Sequence, residues 1–417
     1  MNKADWKTKI HRHLEKKLKE RIGTGEWLNH ELRFNDSYLL PKVLKSNVLR
    51  IAEELDILKG YKQEEKLFVL ETLVANLLKT KTRPIQISLH PSNWKKSQYR
   101  KIGYSIIDLI KLLEQNNYID MKKGYHTEKE SRQTRIWATK KLLEYCPILS
   151  HQVIMSPPYQ LVELRDWKNN LIEYKDTNET WRVRTILKRV NDSNTKCDIW
   201  YGNHEVTPYL KAIYKMNFSM YGRLHTSGYR HVQGYSGSER KKIRIDGCTV
   251  SELDYSGLHP NLLYAAEGIQ YEGDPYSIVD DNSDLRLFLK HIFMHLLNSK
   301  DFTQAERASN YYLRDAGNKK LLNDNDVFNA RPIMEQFIKE HNKIAHYFCS
   351  GKKTGMRVMN KDARIALDVV NHFAKQGKPI IPIHDSFIVQ SPFEEELFDV
   401  MNKVYEKHTK GFKIKVK

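Results

Sequence analysis

The sequence predicts an α+β protein of two or three domains, and three observations carry that expectation. Helical patterning with many charges dominates the N-terminal region. Two β-prone, apolar runs in the C-terminal half each carry an isolated aspartate. Apolar helices lie between those runs. A length of 417 residues is ample for more than one core. Apolar residues make up 40% and charged residues 29%, which excludes a fibrous or disordered chain.

Charge narrows the partner. Sixty-nine Lys and Arg against 51 Asp and Glu leave +18 at neutral pH and a pI near 9.4. A polyanion is the expected partner, and nucleic acid is the commonest one. No uninterrupted apolar run reaches the roughly 18 residues of a membrane span, so no membrane partner is expected. Met1-Asn-Lys-Ala-Asp-Trp6 has no apolar signal core, which predicts a cytoplasmic protein. Cys146, Cys197, Cys248 and Cys349 form no CxxC pair, as expected in a reducing compartment without structural zinc.

Residues 1–60 read as a helical N-terminal region, with a solvated amphipathic helix around 11–20. Residues 61–148 form the next expected domain. Leu67, Val69, Leu70, Leu73, Val74 and Leu77 give helical periodicity over 65–78. The run Pro84-Ile-Gln-Ile-Ser-Leu89 is strand-like, and 92–101 is a short basic segment. Ile106, Ile107, Leu109, Ile110, Leu112 and Leu113 predict a helix over 104–115. Tyr118-Ile-Asp-Met121 and Thr134-Arg-Ile-Trp137 then flank a basic excursion.

Helix, strand, short helix, helix and basic hairpin in that order resemble a winged helix-turn-helix domain. The resemblance implies a helix in the major groove and basic side chains on phosphates. Lys95, Arg100, Lys101, Lys122, Lys123 and Arg132 are the candidate phosphate contacts. The alternative use is a protein-contact module. Residues 149–205 read as a connector.

Residues 206–417 carry the chemistry. The run Cys248-Thr-Val-Ser-Glu-Leu253 leads into Asp254, then a small-residue turn, then the apolar segment Asn261-Leu-Leu-Tyr-Ala-Ala266. Pro379-Ile-Ile-Pro-Ile-His-Asp-Ser-Phe-Ile-Val389 places His384 and Asp385 in the turn of an apolar hairpin. Between them, Arg286, Lys290, Met294 and Asn298 recur every four residues and share one helix face. Leu285, Leu289, Ile292, Phe293, Leu296 and Leu297 form the buried remainder. Arg followed one turn later by Lys suits a triphosphate. Two aspartates on one palm-like sheet suit two divalent ions about 3.5–4 Å apart, acting on an attacking hydroxyl and a leaving pyrophosphate.

These stretches resemble the right-hand nucleic-acid polymerases of family A, a group that includes the single-subunit phage-type RNA polymerases. Asp254-Tyr-Ser-Gly-Leu-His259 is similar to motif A. It implies Asp254 as a metal ligand, with the Tyr255 carbonyl facing the metals. Arg286 and Lys290 match the Arg-x3-Lys of motif B, implying contacts to the incoming nucleotide, with Met294 and Asn298 on the same face. His384-Asp385-Ser386 matches motif C, implying Asp385 as second ligand and His384 beside the nucleic acid. Gly222-Arg223 resembles the element ahead of motif A whose arginine approaches the nucleic-acid backbone. Asp274-Pro-Tyr276 also has a counterpart, implying Tyr276 at the nucleotide.

The resemblance implies a palm with an antiparallel sheet and helical fingers over about 262–345. It implies two Mg²⁺, replaceable by Mn²⁺, with nucleoside triphosphates and a DNA or RNA primer-template as partners. His259 stands where DNA-polymerizing members carry Glu, while Ser386 and the region after Met294 are closer to the RNA polymerases. The expected function is a metal-dependent nucleotidyltransferase extending a 3′ end, of DNA-polymerase type. The alternatives are an RNA polymerase or primer-making enzyme, a template-independent tailing enzyme, and a non-catalytic DNA-binding regulator. The sequence has no G-x-x-x-x-G-K-[ST], no H-E-x-x-H and no G-x-S-x-G.

Overall fold

A computed structural model describes residue 28 and residues 31–81, 83–95, 97–128, 130–147, 153–202, 204–206, 209–227, 232–277, 283–314 and 329–417. The helix expected around 11–20 lies outside the described residues, as do 278–282 and 315–328 of the expected fingers. The protein is α+β, and it divides into two compact units, 1–160 and 161–417.

The first unit contains β1 (Leu32–Arg33), β2 (Tyr38–Leu39), α1 (Lys42–Glu54), α2 (Gln63–Lys79), β3 (Ile85–Ile87), α3 (Ser105–Gln115), β4 (Ile119–Lys122), β5 (Tyr125–His126), β6 (Ser131–Arg132), β7 (Thr134–Ala138), α4 (Lys140–Tyr145) and β8 (Ile154–Met155). Its four-stranded sheet has the order β1-β3-β7-β4, with β3-β7 and β7-β4 antiparallel. The apolar stripe of α2, including Val69, Leu70, Leu73 and Leu77, packs in one core with Ile106, Ile110 and Leu113 of α3 and Ile85 of β3. Each such fully buried side chain contributes roughly 1.5–3 kcal/mol. Leu44, Val48 and Ile51 of α1 belong to that same core, so the 42–54 helix is part of this unit. The buried Asn76 is satisfied: its Oδ1 accepts from Asn35 N at 2.8 Å and its Nδ2 donates to Asn35 O at 2.8 Å.

The second unit begins earlier than the sequence suggests. The expected connector supplies β9 (Val162–Arg165) and α5 (Asn178–Asn194) to its core. Thr177 starts α5 with a capping box. Strand β10 (Ile199–Tyr201) pairs with β11 (His204–Glu205) and with β14 (Ile243–Ile245). Strand β12 (Tyr209–Lys215) lies between parallel β9 and antiparallel β13 (Asn217–Ser227).

Strand β15 (Val250–Asp254) leads through a turn into α6 (Leu258–Ala266). Helices α7 (Ser283–Asn298), α8 (Phe302–Arg314) and α9 (Ala330–Glu340) follow, then α10 (Thr354–Lys375). The chain closes with the hairpin β16 (Ile381–Ile383) and β17 (Ser386–Gln390), then α11 (Glu394–Thr409). These last strands form the antiparallel sheet β15-β17-β16. All six residues expected as the buried side of α7 are buried, Ile292, Phe293 and Leu296 completely. Among the described residues, no helix is long and apolar enough to cross a membrane.

Candidate active site

Strand register brings the two aspartates together. Asp254 ends β15 directly opposite Ser386, the first residue of β17, and Asp385 immediately precedes it. His384 enters the turn with φ of 60°. This left-handed conformation at a non-glycine residue stores strain immediately before Asp385. Burial first, and the Asp385 charge second, push the Asp254 carboxyl up to about 6, while Lys290 and Lys417 pull the other way. The burial and the nearby Asp385 charge make an ionised Asp254 costly, a cost that a cation would remove.

The donor set fits Mg²⁺. That ion takes oxygen ligands and is commonly held by one or two carboxylates together with substrate phosphates and water. Among the described residues no group of three or more His, Cys, Asp or Glu side chains is assembled for a metal, so a closed protein cage is absent there. The Tyr255 side chain is no ligand, because it is buried and its hydroxyl donates to Met401 O at 2.7 Å. Its carbonyl is oriented by an unexpected neighbour. Asp254 N donates to Lys417 O at 2.8 Å, Lys417 N donates to Asp254 O at 3.0 Å, and Ser256 N donates to Lys415 O at 2.9 Å. Tyr255 therefore faces Val416 as a non-hydrogen-bonded pair, and its carbonyl points away from that segment.

Helix α7 presents its cations to this sheet through Tyr276. Arg286 and Lys290 both sit over the Tyr276 ring, 5.6 and 5.7 Å from its centroid. The ring is buried, and burial, then the charges of Asp385 and Asp274, hold its hydroxyl well above the usual tyrosine range. Arg286 Nε donates to Asp274 Oδ2 at 2.5 Å. Burial pushes Asp274 upward, but this bond and the one from Tyr276 N hold it below the ordinary value. His341 fixes the turn, lying 2.9 Å from Pro275 O and 2.8 Å from the Tyr264 hydroxyl. Gly257 is required between β15 and α6: its φ is 63°, and an added Cβ would stand 2.6 Å from Pro275 Cγ.

Arg223 and His259 form a second, adjoining cluster around Asp362 of α10. Arg223 donates to Asp362 Oδ2 from Nη2 at 2.7 Å and from Nε at 3.2 Å. His259 Nε2 lies 3.3 Å from the same oxygen and 3.3 Å from Arg223 Nη2. Burial would raise Asp362, but these two partners hold its carboxyl below the usual range. His384 adjoins this cluster; burial, then the Arg223 charge, lower its imidazole, and its Nδ1 is buried without a hydrogen-bond partner. The His225 ring lies 6.4 Å from it, and burial with the His384 charge brings His225 down to about 4.

Met294 and Asn298 are further along α7. Met294 packs against the core, and Asn298 donates to Met294 O at 2.9 Å. Asn298 fits against Gly355, where a Cβ would fall 2.1 Å from its Oδ1.

Sequence reasoning missed three residues here. Asp362 falls on the apolar stripe of α10, with Val358, Ala366 and Val369 beside it, and an acid on such a stripe signals a buried partner. Glu252 shares a face with Asp254 two residues on. It accepts from Arg240 Nε at 2.8 Å, from Arg240 Nη2 at 2.7 Å and from Ser386 Oγ at 2.7 Å. Lys417 had no signal, since nothing local announces its pairing with Asp254.

In the first unit the candidate phosphate contacts separate by environment. Lys95, Lys122 and Lys123 are exposed. Lys101 Nζ lies over the Phe68 ring at 3.9 Å, and Arg100 over Trp94 at 5.2 Å. Arg132 pairs with Glu31 at 3.1 Å. The outer face of α3 offers Asp108 and Lys111, an acid and a base, so positive charge concentrates in the loop before α3 and in the hairpin.

No family model and no curated protein matches this chain. Among solved structures it is similar to the POL domain of Pol1 from M. smegmatis in complex with DNA primer-template and dNTP, at 12% identity and a TM-score of 0.30. The match covers 91% of this chain and 66% of that one. Likeness at that level leaves the chemistry to be read from the residues themselves.

Proposed function

We propose that this protein is a metal-dependent nucleotidyltransferase that extends a nucleic-acid 3′ end from nucleoside triphosphates. One observation carries the reading: the register of β15 and β17 joins Asp254 to Asp385 beneath a helix face bearing Arg286 and Lys290. Two carboxylates at one edge and two cations at the other suit a triphosphate whose α-phosphorus lies over the acids.

In this reading Asp254, Asp385 and the Tyr255 carbonyl would hold two Mg²⁺, which would supply charge neutralisation for attack at phosphorus. Lys290 and Arg286 orient the phosphate chain. Arg286 is already aligned by Asp274, and Tyr276 keeps both cations on one side. The buried Arg223–Asp362–His259 cluster positions the His384 turn and α6 rather than reading the nucleotide directly. The basic balance of the chain supports a primer-template partner. In the first unit, the β3-β7-β4 order behind α3, with lysines in the hairpin, supports a winged-helix contact to phosphates.

Lys290→Ala tests the nucleotide geometry. Steady-state extension should show KM for the nucleotide raised at least about 10-fold, the loss expected for one charge-assisted phosphate contact. An unchanged KM would remove Lys290 from the nucleotide site.

A further inference from the structure

Beside the aspartate strand lies a cavity of about 640 Å³ that the catalytic reading does not use. Ser256, Asn261 and Asp274 line it together with Lys413, Lys415 and Lys417. Its size is that of a small-molecule site, roughly 300–1,000 Å³, rather than of a groove for a duplex.

The lysines are built into place. Ile414 and Val416 are buried in the main core while Lys413, Lys415 and Lys417 are exposed, the alternation of a strand with one wet face. Two clamps hold this segment. At one end the Gln270 side chain donates to Lys413 O at 3.0 Å and accepts from Lys413 N at 2.9 Å. At the other, Lys417 exchanges both backbone bonds with Asp254. Directly opposed residues of an antiparallel pair project to the same face, so Lys417 stands on the Asp254 side and Lys415 on the Ser256 side. The Lys417 charge is felt at both Asp254 and Asp274.

The charge balance of the cavity favours an anion. Asp274 is neutralised by Arg286, which leaves Glu272 against three lysines. Among the described residues none of these lysines is in an ion pair. Three such lysines lining one cavity favour multiply charged oxyanions.

We infer that this cavity receives a pyrophosphate group, with Lys413 and Lys415 as its charge contacts and Lys417 linking it to the aspartate strand. This rests on the nucleotidyl-transfer reading, in which pyrophosphate leaves the α-phosphorus as the 3′ oxygen bonds to it. The cavity would take that group as it departs. The β,γ-phosphates of a bound nucleotide share this chemistry.

The probe is inorganic pyrophosphate, titrated calorimetrically into the full chain with Mg²⁺ present. Lys413→Ala/Lys415→Ala should weaken its binding at least 10-fold, and Lys413→Arg/Lys415→Arg should retain it. Orthophosphate should bind at least 10-fold more weakly than pyrophosphate. A non-hydrolysable nucleoside triphosphate losing affinity in the Ala variant as much as pyrophosphate does would make the bound nucleotide's phosphates, not the free product, the occupant, overturning the exit role. Pyrophosphate binding equal in wild type and Ala variant would overturn the site altogether. Binding is read without turnover. Absent extension with lysine-dependent pyrophosphate binding therefore sinks the polymerase reading alone. Extension whose product inhibition ignores Lys413 and Lys415 sinks the pocket alone.

Discussion

Asp254→Asn and Asp385→Asn should each abolish nucleotide incorporation, lowering kcat at least about 10³-fold, or roughly 4 kcal/mol of transition-state stabilisation. The amide keeps the shape of the side chain and removes the charge that would hold a divalent ion. Stability should move the other way in Asp254→Asn. Burial and Asp385 raise the Asp254 carboxyl to about 6, so above that pH the folded state carries an unfavourable charge. A raised acid costs stability when ionised, a cost that grows as pH climbs from the unfolded value near 4 through 6 and then levels off. The Asn variant is free of it, so without metal at pH 7.5 it should melt no lower than wild type. Extension of a labelled primer and a thermal melt on the same preparation check both halves. A variant that loses activity by unfolding would show a lowered midpoint and would not support a metal-ligand role.

The largest loss of stability should come from Asp362. Its carboxylate is buried and is the shared acceptor for Arg223 and the neighbour of His259. Asp362→Ala leaves the half-buried guanidinium without its partner, a change expected to cost about 3–5 kcal/mol. Urea unfolding at pH 7 should register it as a lower midpoint with an unchanged slope. Arg223→Met/Asp362→Leu removes both charges together and should recover most of the loss. The pH dependence has a definite sign. The folded Asp362 pKa is depressed, so its stabilising contribution is full above the unfolded value near 4. It disappears as pH falls further, through the folded value. A cost under about 1 kcal/mol for Asp362→Ala would mean that water replaces the carboxylate and that the cluster does not position the His384 turn.

Local pattern made some of this legible from sequence, and tertiary pairing hid the rest. The face of α7 was readable because helical period alone separates Arg286 and Lys290 from Leu289, Ile292 and Phe293. The strand ending at Asp254 and the hairpin around Asp385 were readable because apolar runs with a polar break have few other solutions. Their adjacency is a matter of register, which no single run encodes; the resemblance supplied it. Residues 149–205 read as a connector because Ser156-Pro-Pro158 and the turn-rich 191–194 bracket them, yet Val183, Ile186, Leu187 and Val190 place α5 in the main core. Arg223 and His259 were expected at the nucleic acid and the nucleotide. Both contact Asp362, a partner more than 100 residues away in sequence from each, which no local pattern announces. Lys417 is the extreme case: an exposed lysine in a basic chain that becomes significant only because Val416 pairs with Tyr255.

One measurement tests nucleotidyl transfer most directly. A 5′-labelled primer on a longer template is incubated with the full-length chain and Mg²⁺, once with the four dNTPs and once with the four rNTPs. The two-aspartate site predicts template-length products with at least one set, lost on chelation and absent in Asp254→Asn. No extension with either set, in Mg²⁺ or Mn²⁺, from protein that is folded by its thermal melt, would contradict it.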